Sequence, residues 1–260
     1  AALHMACQAA GVQPGNEVIT TPITFAASAN CAFYCGARPV FADINEETYN
    51  IDPENVRRLT TEKTKAVVAV DFTGQSVELD ALLSHCHEKG ITLIEDGAHV
   101  IGTKYKGRCN GSIADMTTLS FHPVKTVTCG EGGAVLTNDE NLYRKLLLYR
   151  AHGITRDPSL MEHEPDGPWY YEQLTLAMNY RMTDMQAALL ISQLKKLPMF
   201  MERRKEIVKR YNEAFSKLPQ IIVQKEIRES DTTRHLYILR LNPEKGISAA
   251  EPDPQKCAGG

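Results

Sequence analysis

The feature that most constrains the fold of this sequence is the tight alternation of short apolar runs with helical segments between Glu17 and Asp96. Glu17–Thr20 reads as a strand stopped by Pro22. Ala26–Tyr34 follows a helical pattern, with Gly36 at its stop and Pro39 beyond it. Pro39–Ile44 reads as a second strand. Asp52 before Pro53 pairs an N-cap with a first-turn proline and predicts a helix to about Leu59. Ala66–Val70 is apolar at every position, as a parallel strand covered on both faces must be. Glu78–Lys89 is amphipathic and ends at Gly90, and Ile91–Ile94 is the next strand. A β–α–β–α rhythm this close predicts an α/β fold, a mainly parallel sheet between helices. Such sheets bind ligands outside the carboxyl ends of their strands. Asp96 is placed there.

Further along, Met116–Phe121 and Gly133–Thr137 read as strands flanking His122–Gly132, and Asp139–Ala151 returns to helix. A helical pattern from Thr183 to Leu197 is restarted by Pro198 and continues as Glu202–Leu218. His235–Leu241 alternates like a strand. Residues 1–220 are expected to form a large α/β domain. Residues 221–245 are expected to open a smaller, truncated C-terminal domain, and 246–260, rich in Pro, Ala and Gly, to be a disordered tail. The sequence begins at Ala1 within an apparent helix, Ala1–Ala10, so both ends read as cut or extraneous.

Charge and composition narrow the function. The balance of 29 basic and 32 acidic residues gives a net charge of −3, which offers no field for nucleic acid or an anionic membrane. The apolar runs are too short to span a bilayer, and the sequence shows no basic, apolar leader. Seven cysteines, odd in number and without a C-x-x-C pair, argue against a disulfide frame or a zinc site and for a reducing cytoplasm. No metal site is expected. Gly130-Glu-Gly-Gly133 lacks the spacing of a dinucleotide loop, and no phosphate-binding P-loop pattern occurs.

The chemistry-bearing residues gather near the predicted strand ends. Lys125 lies between a strand end and a glycine-rich loop. Burial there would lower its pKa and free a neutral amine for Schiff-base chemistry with a cofactor aldehyde. Asp96 lies one strand away. Pyridoxal phosphate needs both groups, a lysine for its aldehyde and a carboxylate against its pyridine nitrogen. Ser120 can supply a phosphate donor, and Phe25, just past a strand end, an aromatic face. His99 can reach the same side as Asp96. Singly, each has an ordinary alternative: a surface lysine, a helix cap at Asp96, core packing at Phe25. His122 reads as a core residue, and Cys31 and Cys35 as helix packing.

Thr21-Pro-Ile-Thr-Phe25, Ile94-Glu-Asp-Gly-Ala-His99, Ser120-Phe-His-Pro-Val-Lys125, Gly130-Glu-Gly-Gly133 and Asn179-Tyr-Arg-Met-Thr-Asp184 together carry a resemblance. From Ala1 to about Leu241 the sequence resembles the DegT/DnrJ/StrS family of pyridoxal-phosphate-dependent sugar aminotransferases, of fold type I. Ser28-Ala-Asn-Cys31, Tyr34-Cys-Gly36, His152-Gly-Ile-Thr-Arg-Asp157 and Gly167-Pro-Trp-Tyr-Tyr171 make it look most like the branch that serves pseudaminic acid biosynthesis.

The resemblance implies that Lys125 bonds the cofactor and moves the proton, Asp96 pairs with the pyridinium nitrogen and His99 contacts the phenolic oxygen. It further implies that Phe25 stacks on the ring and Ser120 binds phosphate. Asn179 and Arg181 would reach the phosphate of a neighbouring subunit, making a homodimer with a shared active site. The implied reaction moves an amino group from glutamate to C4 of a UDP-linked 4-keto-6-deoxy-N-acetyl-hexose. Two alternatives stand beside it: another keto sugar of the same family, or a catalytically incompetent fragment used for binding or assembly. Lys125 argues against the dehydratase branch, which has histidine there. Gly97 and Ala177 depart from the family's usual Ala or Ser and Gly, both small exchanges. The family's leading segment and small domain are expected to be missing or incomplete.

Overall fold

The computed structural model describes residues 1–245. The disordered tail expected at 246–260 lies outside the described residues. In chain order the elements are α1 (Ala2–Ala9), β1 (Glu17–Thr20), α2 (Ala27–Tyr34), β2 (Arg38–Phe41), α3 (Pro53–Leu59), β3 (Thr64–Val70), α4 (Leu79–Lys89) and β4 (Thr92–Asp96). A short β5 (Lys104–Tyr105) and β6 (Arg108–Cys109) precede β7 (Met116–Ser120), β8 (Gly133–Leu136) and α5 (Glu140–Arg150). Then come β9 (Ile154–Thr155), β10 (Glu172–Gln173), α6 (Asp184–Leu194), α7 (Leu197–Phe215), β11 (Ile221–Val223), β12 (Ser230–Asp231) and β13 (Leu239–Leu241).

The central sheet has six strands in the order β2-β1-β3-β4-β7-β8. All neighbours are parallel except β7 and β8, which are antiparallel, so the mainly parallel sheet is present as expected. Its order reverses at β1: the chain leaves toward β2, then crosses back to β3. Alternate residues of the inner strands feed two cores. Val18, Ala66, Val68, Ile94 and Met116 pack with α1, α2 and α5 on one face. Ile19, Val67, Ala69 and Leu93 pack with α3 and α4 on the other. Side chains such as Leu79, Leu82, Leu93 and Ile94 are fully buried, each worth about 1.5–3 kcal/mol relative to exposure.

Local signals act where the sequence places them. Asp52 accepts the Glu54 amide at 2.9 Å and starts α3 with Pro53 in its first turn. Gly90 closes α4 in the left-handed conformation. Thr183 and Gln186 form a reciprocal capping box at the start of α6. Two expected strands are shorter than their patterns. β2 stops at Phe41 because Asn45 Oδ1 accepts the Glu47 and Thr48 amides and turns the chain, leaving Ile44 only a bridge to Ile51. The alternating run from His235 pairs only over Leu239–Leu241, since the Leu236 amide is taken by the Thr73 carbonyl. Among the described residues, no helix is long and apolar enough to cross a membrane.

Candidate active site

The parallel strands β1, β3 and β4 end at one edge of the sheet, and β4 delivers Asp96 to it. Asp96 is 5% exposed. Its Oδ2 accepts a 2.6 Å hydrogen bond from Ser28 Oγ on α2, and Oδ1 accepts from the Ala98 amide at 3.3 Å. Burial raises its pKa, opposed by the Ser28 and Ala98 donors and by the charge of Lys125. Gly97, next in the chain, lies tight against β7. A Cβ there would fall 2.8 Å from Val100 Cγ2 and 3.0 Å from both Thr117 Cγ2 and the Thr118 carbonyl.

Lys125 stands on the turn that follows β7. The turn folds back on itself: the Phe121 amide bonds the Gly132 carbonyl at 2.8 Å, and the Lys125 amide bonds the His122 carbonyl at 3.0 Å. Phe121, Val127 and Cys129 anchor it against Met182, Leu190, Leu197 and Phe200. Burial lowers the Lys125 pKa, with the negative charge of Asp96 working the other way. A half-buried amine thus lies within the field of a buried carboxylate, and each favours the other's charged form.

His99 is partly buried beyond β4, and Lys125 acts on its charge as well. Burial first, then the charges of Lys125 and His235, push its pKa down to about 3. Its Nδ1 is buried without a hydrogen-bond partner. The structure therefore brings Asp96, Lys125 and His99 into one electrostatic group. Ser120 ends β7, whose Thr118 is in register with Asp96 of β4. Its Oγ accepts only a long, 3.5 Å contact from the His122 amide. Phe25 lies past the end of β1 and is 82% exposed, not packed into the core.

Asn179 and Arg181 are exposed and make no hydrogen bond or ion pair with that group among the described residues. Their segment is tied down elsewhere, by an antiparallel bridge from Asn179 to Ala151 and by Tyr180 hydroxyl with His4 Nδ1 at 3.0 Å. His122, read from the sequence as a core residue, is exposed, with Glu131 3.7 Å from its Nε2. The side chains of Phe121, Val127 and Cys129 around it, not the imidazole, fill the core.

Three contributors escaped the sequence reading. Ser28 holds Asp96, and the signal for it was the hydroxyl pair one helical turn apart, Thr24 and Ser28, 2.8 Å from each other. His235 lies against His99 with ring centroids 4.6 Å apart, and no local pattern announces a contact so distant in sequence. Asp71 follows the apolar run of β3 and is fully buried. Burial first, then the charge of Glu95, raise its pKa well above the usual range, and its Oδ2 is buried without a hydrogen-bond partner. Among the described residues no cluster of three metal-ligating side chains occurs.

A buried carboxylate, a half-buried amine and an unpaired imidazole at a sheet's carboxyl edge suit an aromatic nitrogen heterocycle with an electrophilic carbon. The profile of the DegT/DnrJ/EryC1/StrS aminotransferase family matches residues 1–251. The spore coat polysaccharide biosynthesis protein SpsC of Bacillus subtilis is 42% identical over 252 residues, 96% of this chain and 64% of its own length. The UDP-4-amino-4,6-dideoxy-N-acetyl-beta-L-altrosamine transaminase of Campylobacter jejuni is 41% identical over 246 residues, 94% of this chain and 62% of its own. Among solved structures, the PLP form of Spr1654 from Streptococcus pneumoniae superposes with a TM-score of 0.82 at 32% identity, covering 93% of this chain and 64% of that one. The chain thus spans a little under two thirds of the length of these relatives.

Proposed function

The chain belongs to the DegT/DnrJ/EryC1/StrS aminotransferase family, and from that membership and the site we propose a pyridoxal-phosphate-dependent sugar aminotransferase. Its reaction is the transfer of an amino group from glutamate to C4 of a UDP-linked 4-keto-6-deoxy-N-acetyl-hexose. The observation that carries this reading is the placement of buried Asp96 at the carboxyl end of β4 and half-buried Lys125 on the turn that follows the adjacent β7. The residues fit the cofactor: Asp96 is anchored by Ser28 on one oxygen, and neither ring nitrogen of His99 is bonded to a protein group among the described residues.

When bound, pyridoxal phosphate supplies an aldehyde that takes up amines and a protonated ring that draws electrons from the bond being broken. Asp96 holds that ring proton, and its burial strengthens the pairing because little water competes. Lys125 would hold the cofactor through its amine, which its lowered pKa makes available in the neutral form, and would move the proton between the carbon atoms that exchange the amino group. His99 donates an N–H to the phenolic oxygen. Phe25 provides the apolar face for the ring, and Ser120 a hydroxyl to the phosphate. Asn179 and Arg181, exposed and free of the Asp96 group, serve the phosphate of a second copy in a homodimer.

Residues 1–220 are proposed as the large cofactor domain and 221–245 as the opening of a smaller one, with a cytoplasmic setting for both. The substrate assignment rests on the activity for which the Campylobacter relative is named and on the His152–Asp157 and Gly167–Tyr171 segments of this chain. The polysaccharide role of the Bacillus relative favours a different keto sugar as the second choice. Loading the protein with pyridoxal phosphate and offering it isotopically labelled glutamate with each keto sugar tests both. Labelled nitrogen at C4 of the UDP sugar is expected. Binding of cofactor without labelling of any nucleotide sugar would overturn the substrate reading, and failure to bind cofactor would overturn the whole.

A further inference from the structure

A strap from the far end of the chain crosses the edge of the sheet next to His99. Thr232 Oγ1 donates to the Gly74 carbonyl at 2.7 Å, and Thr233 Oγ1 donates to the His99 carbonyl at 3.2 Å. The Thr233 amide bonds Thr103 Oγ1 at 3.1 Å, and the Arg204 guanidinium bonds the His235 carbonyl at 3.3 Å. Gly74 permits the approach: its φ is +98°, and a Cβ there would lie 2.9 Å from the His235 amide nitrogen and 3.0 Å from the His99 carbonyl oxygen. Arg234, before the histidine, is itself buried at a positive φ of 47° and is held by Gln224 and Glu226. The backbone of His235 is therefore fixed from both sides.

That fixed backbone lays the His235 ring over His99, centroids 4.6 Å apart and planes 33° apart. Neither imidazole has a side-chain hydrogen bond among the described residues, and Nδ1 of each is buried without a partner. A buried polar group left unpaired costs about 1–3 kcal/mol, and an orphaned N–H is the rarer kind, whereas Nε2 of neither ring is closed off in that way. The arrangement is cheapest when each ring carries its single hydrogen on Nε2. We infer that His235 is a positioning residue of the active site, which holds the His99 ring in one orientation and one tautomer so that His99 presents a single N–H to the bound ring system. The inference rests on the pyridoxal phosphate reading of this site.

The charges around the stack agree with it. Burial lowers His99 to about 3 and His235 to about 4, with Lys125 acting on both and Arg204 on His235. Two neutral rings stack without repulsion, and a neutral His99 has one donor where a charged one has two.

The test is nitrogen NMR of histidine-labelled protein, without and with pyridoxal phosphate, comparing wild type with His235→Phe and His235→Gln. Phenylalanine keeps the stacked ring, and glutamine keeps polarity without it. In wild type and His235→Phe, His99 is expected to show one tautomer and to stay unprotonated down to about pH 5, as burial requires. In His235→Gln its signals should average between tautomers and titrate at higher pH, with cofactor affinity falling about tenfold, or 1.4 kcal/mol. His99 signals unchanged in a folded His235→Gln would overturn the inference, and so would a His235→Phe that behaves like glutamine. Because the first comparison needs no cofactor, a wild-type protein that fails to bind it would sink the functional reading while the spectra still decide the role of His235.

Discussion

Ser28 Oγ donates a 2.6 Å hydrogen bond to Asp96 Oδ2, joining the first turn of α2 to the carboxyl end of β4. Thr24 Oγ1 lies 2.8 Å from the same hydroxyl and completes a short chain of donors. Since Ser28 works against the burial that raises the Asp96 pKa, Ser28→Ala leaves a buried carboxylate oxygen unpaired. The expected cost is about 1–3 kcal/mol in stability at neutral pH. Cofactor affinity should fall as well, because Asp96 then takes up a proton of its own more readily. Chemical denaturation and a cofactor titration check the two effects, and an unchanged affinity would show that Asp96 does not meet the cofactor.

Replacing the lysine separates chemistry from packing. Lys125→Ala is expected to abolish the absorbance band of covalently held pyridoxal phosphate and its trapping by borohydride, with little change in stability because the side chain is only half-buried. Lys125→Arg keeps the positive charge beside Asp96 but has no deprotonated form to attack an aldehyde. It should therefore leave Asp96 electrostatically as it is and still fail to trap cofactor. A borohydride-stable adduct in either variant would move the attacking amine to another residue.

Much of this was legible along the chain, because parallel α/β folds write their order locally. The apolar run of β3, the N-cap Asp52 and the stop at Gly90 each sit where short-range rules put them. Asp96 and Lys125 could be placed from strand ends alone. What remained hidden depends on contacts between distant segments. The Ser28 bond, the His235 stack and the Asp71–Glu95 pair each join residues from different elements, and no periodicity encodes such a meeting. His122 shows the reverse error: Phe121 and Val127 on either side of it are buried, but the turn leaves the imidazole exposed.

Buried Asp71, at the end of β3, makes stability depend on pH in a direction opposite to most carboxylates. Asp71 is fully buried and raised well above its usual pKa, chiefly by burial and then by Glu95. Its Oδ1 accepts the Val77 amide at 2.8 Å, while Glu95 accepts from Thr117 Oγ1 at 2.5 Å and Asn110 Nδ2 at 2.6 Å. The folded state keeps the Asp71 proton at a pH where the unfolded chain has lost it. Its contribution is thus fully present below the unfolded pKa of about 4 and declines as pH rises toward the folded value, by up to about 1.4 kcal/mol per unit. Asp71→Asn preserves an acceptor for Val77 without a titrating proton. It is expected to match wild type in acid and exceed it in mild alkali. Denaturation midpoints from pH 4 to 9 check this, and a variant that is less stable across the range would show that folded Asp71 does not keep its proton.

Asp96→Asn should act on the cofactor in two opposed ways, which makes it the sharpest test of the site. The carboxylate raises the Lys125 pKa while burial lowers it. Removing the negative charge leaves burial alone, so the pKa falls further and the neutral amine is present at lower pH. The pH profile for covalent capture of pyridoxal phosphate is therefore expected to shift toward acid. The amide cannot hold the proton on the cofactor's ring nitrogen, so the half-reaction with glutamate should slow by about 10²-fold or more, the scale of a lost acid–base partner. Rapid-mixing absorbance reads capture and amino transfer separately in the same sample. A capture profile that stays in place would break the electrostatic link between Asp96 and Lys125, and an undiminished half-reaction would remove Asp96 from the ring nitrogen.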